Sequence, residues 1–239
     1  MGKFIPTPLT EELVARAEAK HGRVLRFKLP LRSDLTLDVM ARPFTTESWD
    51  AYYDAQFDAP DDAVINMFSR HILWPCGAEL DKLVNAFGVF PGAVLVAMRK
   101  AAGGTGAVFD RLDESLPESV LADAGLPAEE AQRLINKAGG LVTLELVKLK
   151  VGGSLVIRAP GYTDLSRMQR ALSKRVGVAA AFRQATIDGT AWSSQPIGDL
   201  LIAAPAAPAL VAHALLRLGG ADAEAQFLGG ADAPPGAAV

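Results

Sequence analysis

The chain has 239 residues, half of them hydrophobic and 21% charged, with a formal net charge of −3. That balance suits one large domain or two of about 100 residues with real cores, and it excludes the basic excess of a nucleic-acid surface. The single cysteine, Cys76, excludes an internal disulfide and points to a reducing, intracellular setting, and the N-terminus lacks the apolar core of a secretory signal.

Thr10 caps a first helix that carries Glu11 and Glu12 at its positive end and is expected to stop at Gly22. Residues 24–31 alternate apolar and charged side chains and residues 35–44 form a return strand, so the two predict a hairpin around the polar turn 32–34. Helical spacing follows over 45–57, over 61–75 ending at Pro75, over 78–87, and over 91–104 from proline to glycine. Residues 105–124 read as a linker.

From residue 125 the pattern recurs. At a shift of 117, Leu9, Arg16, Lys20, Gly22 and Leu29 meet Leu126, Arg133, Lys137, Gly139 and Leu146, and Pro91, Val94, Ala97 and Gly103 meet Pro208, Val211, Ala214 and Gly220. A one-residue slip between these blocks sets Arg42 on Arg158 and Trp49 on Leu165. Self-similarity at a fixed period is read as architecture before any motif. Gly152-Gly153 marks the second hairpin, between 142–151 and 154–160. Leu200 to Leu218 is the most apolar stretch, but Pro205, Pro208, His213 and Arg217 interrupt it, so it predicts two short core helices and no membrane span. The expected fold is α+β: two tandem duplicated domains, each an N-terminal helix, a β-hairpin and a small helical bundle. The repeats occupy 1–104 and 125–220, and 221–239 is a low-complexity tail expected to lack a fold of its own.

No motif calls for a cofactor or a metal. Gly103-Gly104-Thr105-Gly106 lacks the Gly-Lys-Ser/Thr of a phosphate loop and reads as a helix end. Glu47, Asp50, Asp54, Asp58, Asp61 and Asp62 lack calcium-loop spacing and read as a solvated face. His71 and Cys76 could pair as base and nucleophile, which makes an enzyme the alternative reading; the second copy places Asp188 and Ser193 there, and a helix-end histidine beside a small buried thiol is the simpler one. The candidate interface has two parts. Trp49, Tyr52 and Tyr53 form, with Phe57, the aromatic cluster, beside Asp50 and Asp54; the matching helix of the second copy carries Arg167, Arg170, Lys174 and Arg175. Aromatics beside a polar rim serve either a core or an interface, and opposite charges steer association, within one chain or between copies.

The order of hairpin, Arg42-Pro43-Phe44, helix with Glu47 to Trp49, apolar helix through Ile72 to Pro75, and last helix from Pro91-Gly92 to Ala102-Gly103 resembles the small tail-assembly chaperone-like proteins of tailed bacteriophages and related baseplate-hub assembly proteins. The resemblance covers about residues 24–104, and the second copy keeps Arg158, Pro160 and Pro208 without the tryptophan. It implies a non-enzymatic protein that contacts other tail or baseplate proteins, in the host bacterial cytoplasm during assembly or in the virion tail. Those family members carry one such domain, so the duplication departs from them and favours a stable structural component over a transient chaperone.

Overall fold

A computed structural model describes residues 7–32 and 35–219. The tail at 221–239 and most of the turn at 32–34 therefore lie outside the described residues. The fold is α+β, with 11 helices and two small antiparallel sheets among the described residues. The chain divides into two compact units, Met1–Gly104 with Ala204–Ala206, and Thr105–Ala203 with Ala207–Val239.

The first unit runs α1 (Glu11–His21), β1 (Leu25–Arg32), β2 (Leu35–Ala41), α2 (Thr46–Ala55), α3 (Pro60–His71), β3 (Ile72–Trp74), α4 (Gly77–Ala86) and α5 (Phe90–Ala101). Thr10 caps α1 by accepting from the Leu13 N–H, and Gly22 ends it at φ 74°. Thr45 and Ser48 form a reciprocal capping box at the start of α2. Leu29 pairs with Leu37, and Phe27 with Val39, across the hairpin. The unit's buried core includes Leu37, Val39, Val94 and Met98, with Phe68 edge-on to Phe90 at 5.5 Å.

The second unit runs β4 (Val108–Arg111), α6 (Glu118–Ala124), α7 (Ala128–Ala138), β5 (Leu144–Lys148), β6 (Ser154–Arg158), α8 (Tyr162–Lys174), α9 (Val178–Gly189), β7 (Thr190–Ser193), α10 (Ile197–Ala203) and α11 (Ala207–Leu218). Its sheet order is β4-β5-β6-β7, against β1-β2-β3 in the first unit. From α7 onward the element order repeats that of the first unit. The irregularity repeats too. Met40 faces Trp74 and the register then shifts before Ala41 meets Ile72; Val156 faces Trp192 and the register shifts before Ile157 meets Thr190.

Three expectations are corrected. The stretch 105–124 is no linker: β4 pairs antiparallel with β5, and Leu112, Leu121 and Ala124 join a core cluster with Leu134, Leu146 and Val156. Residues 72–74 are not the end of a helix but strand β3, paired to β2. The expected match of Leu29 with Leu146 also fails: strand register sets Leu146 at the station of Arg26, because Arg26 faces Met40 as Leu146 faces Val156.

This last pair shows how the two units differ. Leu146 is fully buried beneath α6 and α7, on an inner strand that β4 flanks. Arg26 lies on the outer strand of its sheet, half-exposed, and its guanidinium donates to both carboxylate oxygens of Glu11 at 2.7 and 3.1 Å. The smaller cluster beside it holds Val14, Val24 and Met40. Edge strand β1 also carries Lys28, Pro30 and Arg32, the residue types that discourage pairing with another chain. Leu200 to Leu218 resolves into α10 and α11, bent by 119°; no single helix among the described residues is long and apolar enough to cross a membrane.

Candidate functional site

The aromatic cluster is chiefly structural. Trp49 is 3% exposed, so its side chain belongs to the core and leaves the candidate interface. Its ring lies 5.5 Å from Phe44, 5.7 Å from Tyr52 and 5.8 Å from Tyr53. Tyr52 stacks on Phe44 at 6.2 Å, and its hydroxyl accepts from the Gln56 amide at 2.6 Å. Burial raises the Tyr52 pKa, partly offset by the charge of Arg99. Tyr53 and Phe57 meet edge to face and are half-buried.

The acidic run has a local cause. Asp61 and Asp62 occupy the first turn of α3, behind Pro60, and Glu47 the first turn of α2. Carboxylates there face the positive end of the helix dipole. Asp50 and Asp54 lie further along α2 and are half-buried. Among the described residues no group of three or more His, Cys, Asp or Glu could hold a metal ion.

His71 and Cys76 occupy different environments. His71 is buried at the end of α3, edge-on to Phe44 at 5.2 Å. Its Nδ1 is 3.0 Å from the Arg42 carbonyl oxygen. That oxygen can only accept, so the neutral ring carries its proton on Nδ1. Burial lowers the His71 pKa, against the raising effect of this hydrogen bond. Cys76 is exposed at the N-cap of α4, not buried as the simpler sequence reading expected. Element order sets His71 over Gly189, the last residue of α9, where a Cβ would lie 3.0 Å from Leu215. The expected match with Asp188 fails by one residue.

The basic helix builds the more open feature. Along α8, Arg167, Arg170 and Lys174 recur at helical spacing and share one face. They line a groove of about 620 Å³ between α8 and α9, whose other lining includes Ala180, Gln184 and Asp188. Small residues at Ala171, Ala180 and Ala181 leave the space between the helices open. Arg167 bridges them: its guanidinium is 3.7 Å from Asp164 and 3.3 Å from Asp188. Asp188 also accepts from the Gln184 amide at 2.9 Å, and its backbone carbonyl from Arg158 at 3.1 Å. Arg170 and Lys174 are exposed, and among the described residues neither side chain joins an ion pair. Arg175 instead forms the left-handed C-cap of α8, at φ 54°. Spacing alone could find the three cations on one face; the partnership of Arg167 with Asp188, 21 residues on, had no sequence signal.

No family model, curated protein or solved structure matches this chain.

Proposed function

We propose that the two units descend from one duplicated ancestor, and that the protein is a non-enzymatic tail or baseplate protein of a tailed bacteriophage. It acts through protein–protein contacts, as a hub component or an assembly chaperone, in the host cytoplasm during assembly or in the virion tail. The phage assignment rests on the resemblance over residues 24–104. Contact as the mode of action rests chiefly on the α8–α9 groove, an open, apolar-floored channel that presents Arg170 and Lys174 to solvent. Cations around an apolar floor recognise acidic amphipathic segments. A common ancestor is supported by the repeated element order and by the shared register shift beside Trp74 and Trp192.

Mass spectrometry of purified tailed particles and of the lysate tests the assignment. Stoichiometric copies in the particle identify a hub component. Recovery only with unassembled tail proteins identifies a chaperone. Absence from both overturns the reading.

A further inference from the structure

We infer that the α8–α9 groove seats helix α3 of a second copy of this chain, with Asp62 against Arg170 and Ile65 over the alanine floor. The inference rests on the groove being a contact surface, and not on the phage assignment.

The groove calls for acid beside an exposed apolar side chain, and α3 carries both. Its inward face holds Ala63, Met67, Phe68 and His71. Asp62, Ile65 and Ser69 stand at i, i+3 and i+7 on the opposite side. All three are exposed, Ile65 to 48%. Asp61 flanks them in the same first turn. Residues 58–69 contain no lysine or arginine, and neither Asp61 nor Asp62 joins an ion pair among the described residues. The helix dipole accounts for acids in a first turn. It does not account for an isoleucine left open one turn later.

The groove supplies the complement. Arg167 is already held by Asp164 and Asp188, whereas Arg170 and Lys174 are exposed and outside any ion pair among the described residues. Ala171, Ala180 and Ala181 make the floor beside them, and Val176, 73% exposed, extends it. The dimensions agree. With Asp62 at Arg170, Ile65 lies about 5 Å further along α3, over the floor. Lys174 stands about 6 Å from Arg170 along α8, and its flexible stem reaches Asp61. Burial of Ile65 adds affinity, and the charges fix orientation. Exposed ion pairs are individually weak and screened by salt, so the contact is reversible and salt-sensitive. Each copy offers both surfaces, so a reciprocal dimer or a closed ring uses all of them.

Zero-length carbodiimide crosslinking tests this on an equal mixture of ordinary and heavy-nitrogen-labelled full chain, because it joins the Lys174 amine only to a carboxylate in contact with it. The expected product joins Lys174 to Asp61 or Asp62, with mixed-label pairs marking contact between two copies, and its yield should fall as salt is raised. Arg170→Glu should lower that yield about fivefold, through loss of one exposed ion pair and one added repulsion. Mixing Arg170→Glu chains with Asp62→Arg chains should restore it in one direction only, from Lys174 of the former to Asp61 of the latter. Lys174 crosslinks that are absent, confined to single copies, or spread evenly over other carboxylates would overturn the inference. So would a failure of the charge swap to restore the yield. Particle recovery measured on the same variants keeps the two readings apart. A chain found in particles without this crosslink loses the self-contact alone. One that crosslinks but is absent from particles and tail complexes sinks the phage assignment alone.

Discussion

Leu146 and Arg26 hold corresponding stations in the two sheets, and exchanging their chemistry gives opposite outcomes. Leu146 is fully buried in a cluster with Leu121, Leu134 and Val156. Leu146→Arg removes a buried leucine, worth about 2–5 kcal/mol on truncation, and forces a guanidinium into an apolar cluster, where the half-buried Asp110 lies across the ladder on β4. Even with that carboxylate opposite, desolvating the charge adds several kcal/mol. The total is of the order of a whole domain's stability, roughly 5–15 kcal/mol, so the second unit should unfold. Arg26→Leu loses only an exposed, solvent-screened pair with Glu11, and should leave stability close to that of the parent protein. Hydrogen–deuterium exchange read by mass spectrometry reports each unit separately. In Leu146→Arg, peptides from α7, β5 and β6 should lose protection while those from α3 and α5 keep theirs. Unchanged protection of β5 and β6, or an Arg26→Leu cost equal to that of Leu146→Arg, would refute the assignment of these two stations.

His71 makes stability pH-dependent. Its folded pKa lies below that of a free imidazole, mainly through burial, so the unfolded chain takes up the proton first. Stability is therefore full above about pH 6.5 and falls as the pH drops below it; the slope between pH 7 and 5 should shrink in His71→Gln, and an identical slope would remove His71 as its source. Arg217 donates to Glu145 at 2.7 Å and sits 5.8 Å from the Phe109 ring. A double-mutant cycle between Arg217→Met and Glu145→Gln should give a coupling of about 1 kcal/mol, and one near zero would reduce the pair to a surface coincidence. Trp49→Ala should cost about 3–5 kcal/mol in denaturant unfolding; loss of partner binding at unchanged stability would return Trp49 to the interface.

The helices were the legible part of the fold, because their ends carry their own chemistry. Thr10, Gly22, Pro91 and Gly139 act locally, and α1, α5 and α7 begin and end beside them. The short strands were hidden for a different reason. Ile72-Leu73-Trp74 continues the apolar run of α3, and three residues show no period that separates a strand from a helix turn. Val108 to Arg111 becomes a strand only through its pairing with β5, more than 30 residues away. At the candidate site, sequence placed Arg167, Arg170 and Lys174 on one helix. It could not show that the short side chains of Ala171, Ala180 and Ala181 would leave a groove open between α8 and α9, nor that Trp49 would be covered.

Strand β4 determines where the protein can be divided. A fragment beginning at Gly125, where the sequence repeat begins, would drop both β4 and α6. The outer edge of β5 would then be unpaired, and Leu144 and Leu146 would lose Leu112 and Leu121 from above. A bare strand edge beside fresh apolar surface is a template for aggregation. A soluble second half should therefore start at or before Thr105, and the repeat boundary and the folding boundary of this chain differ by about 20 residues.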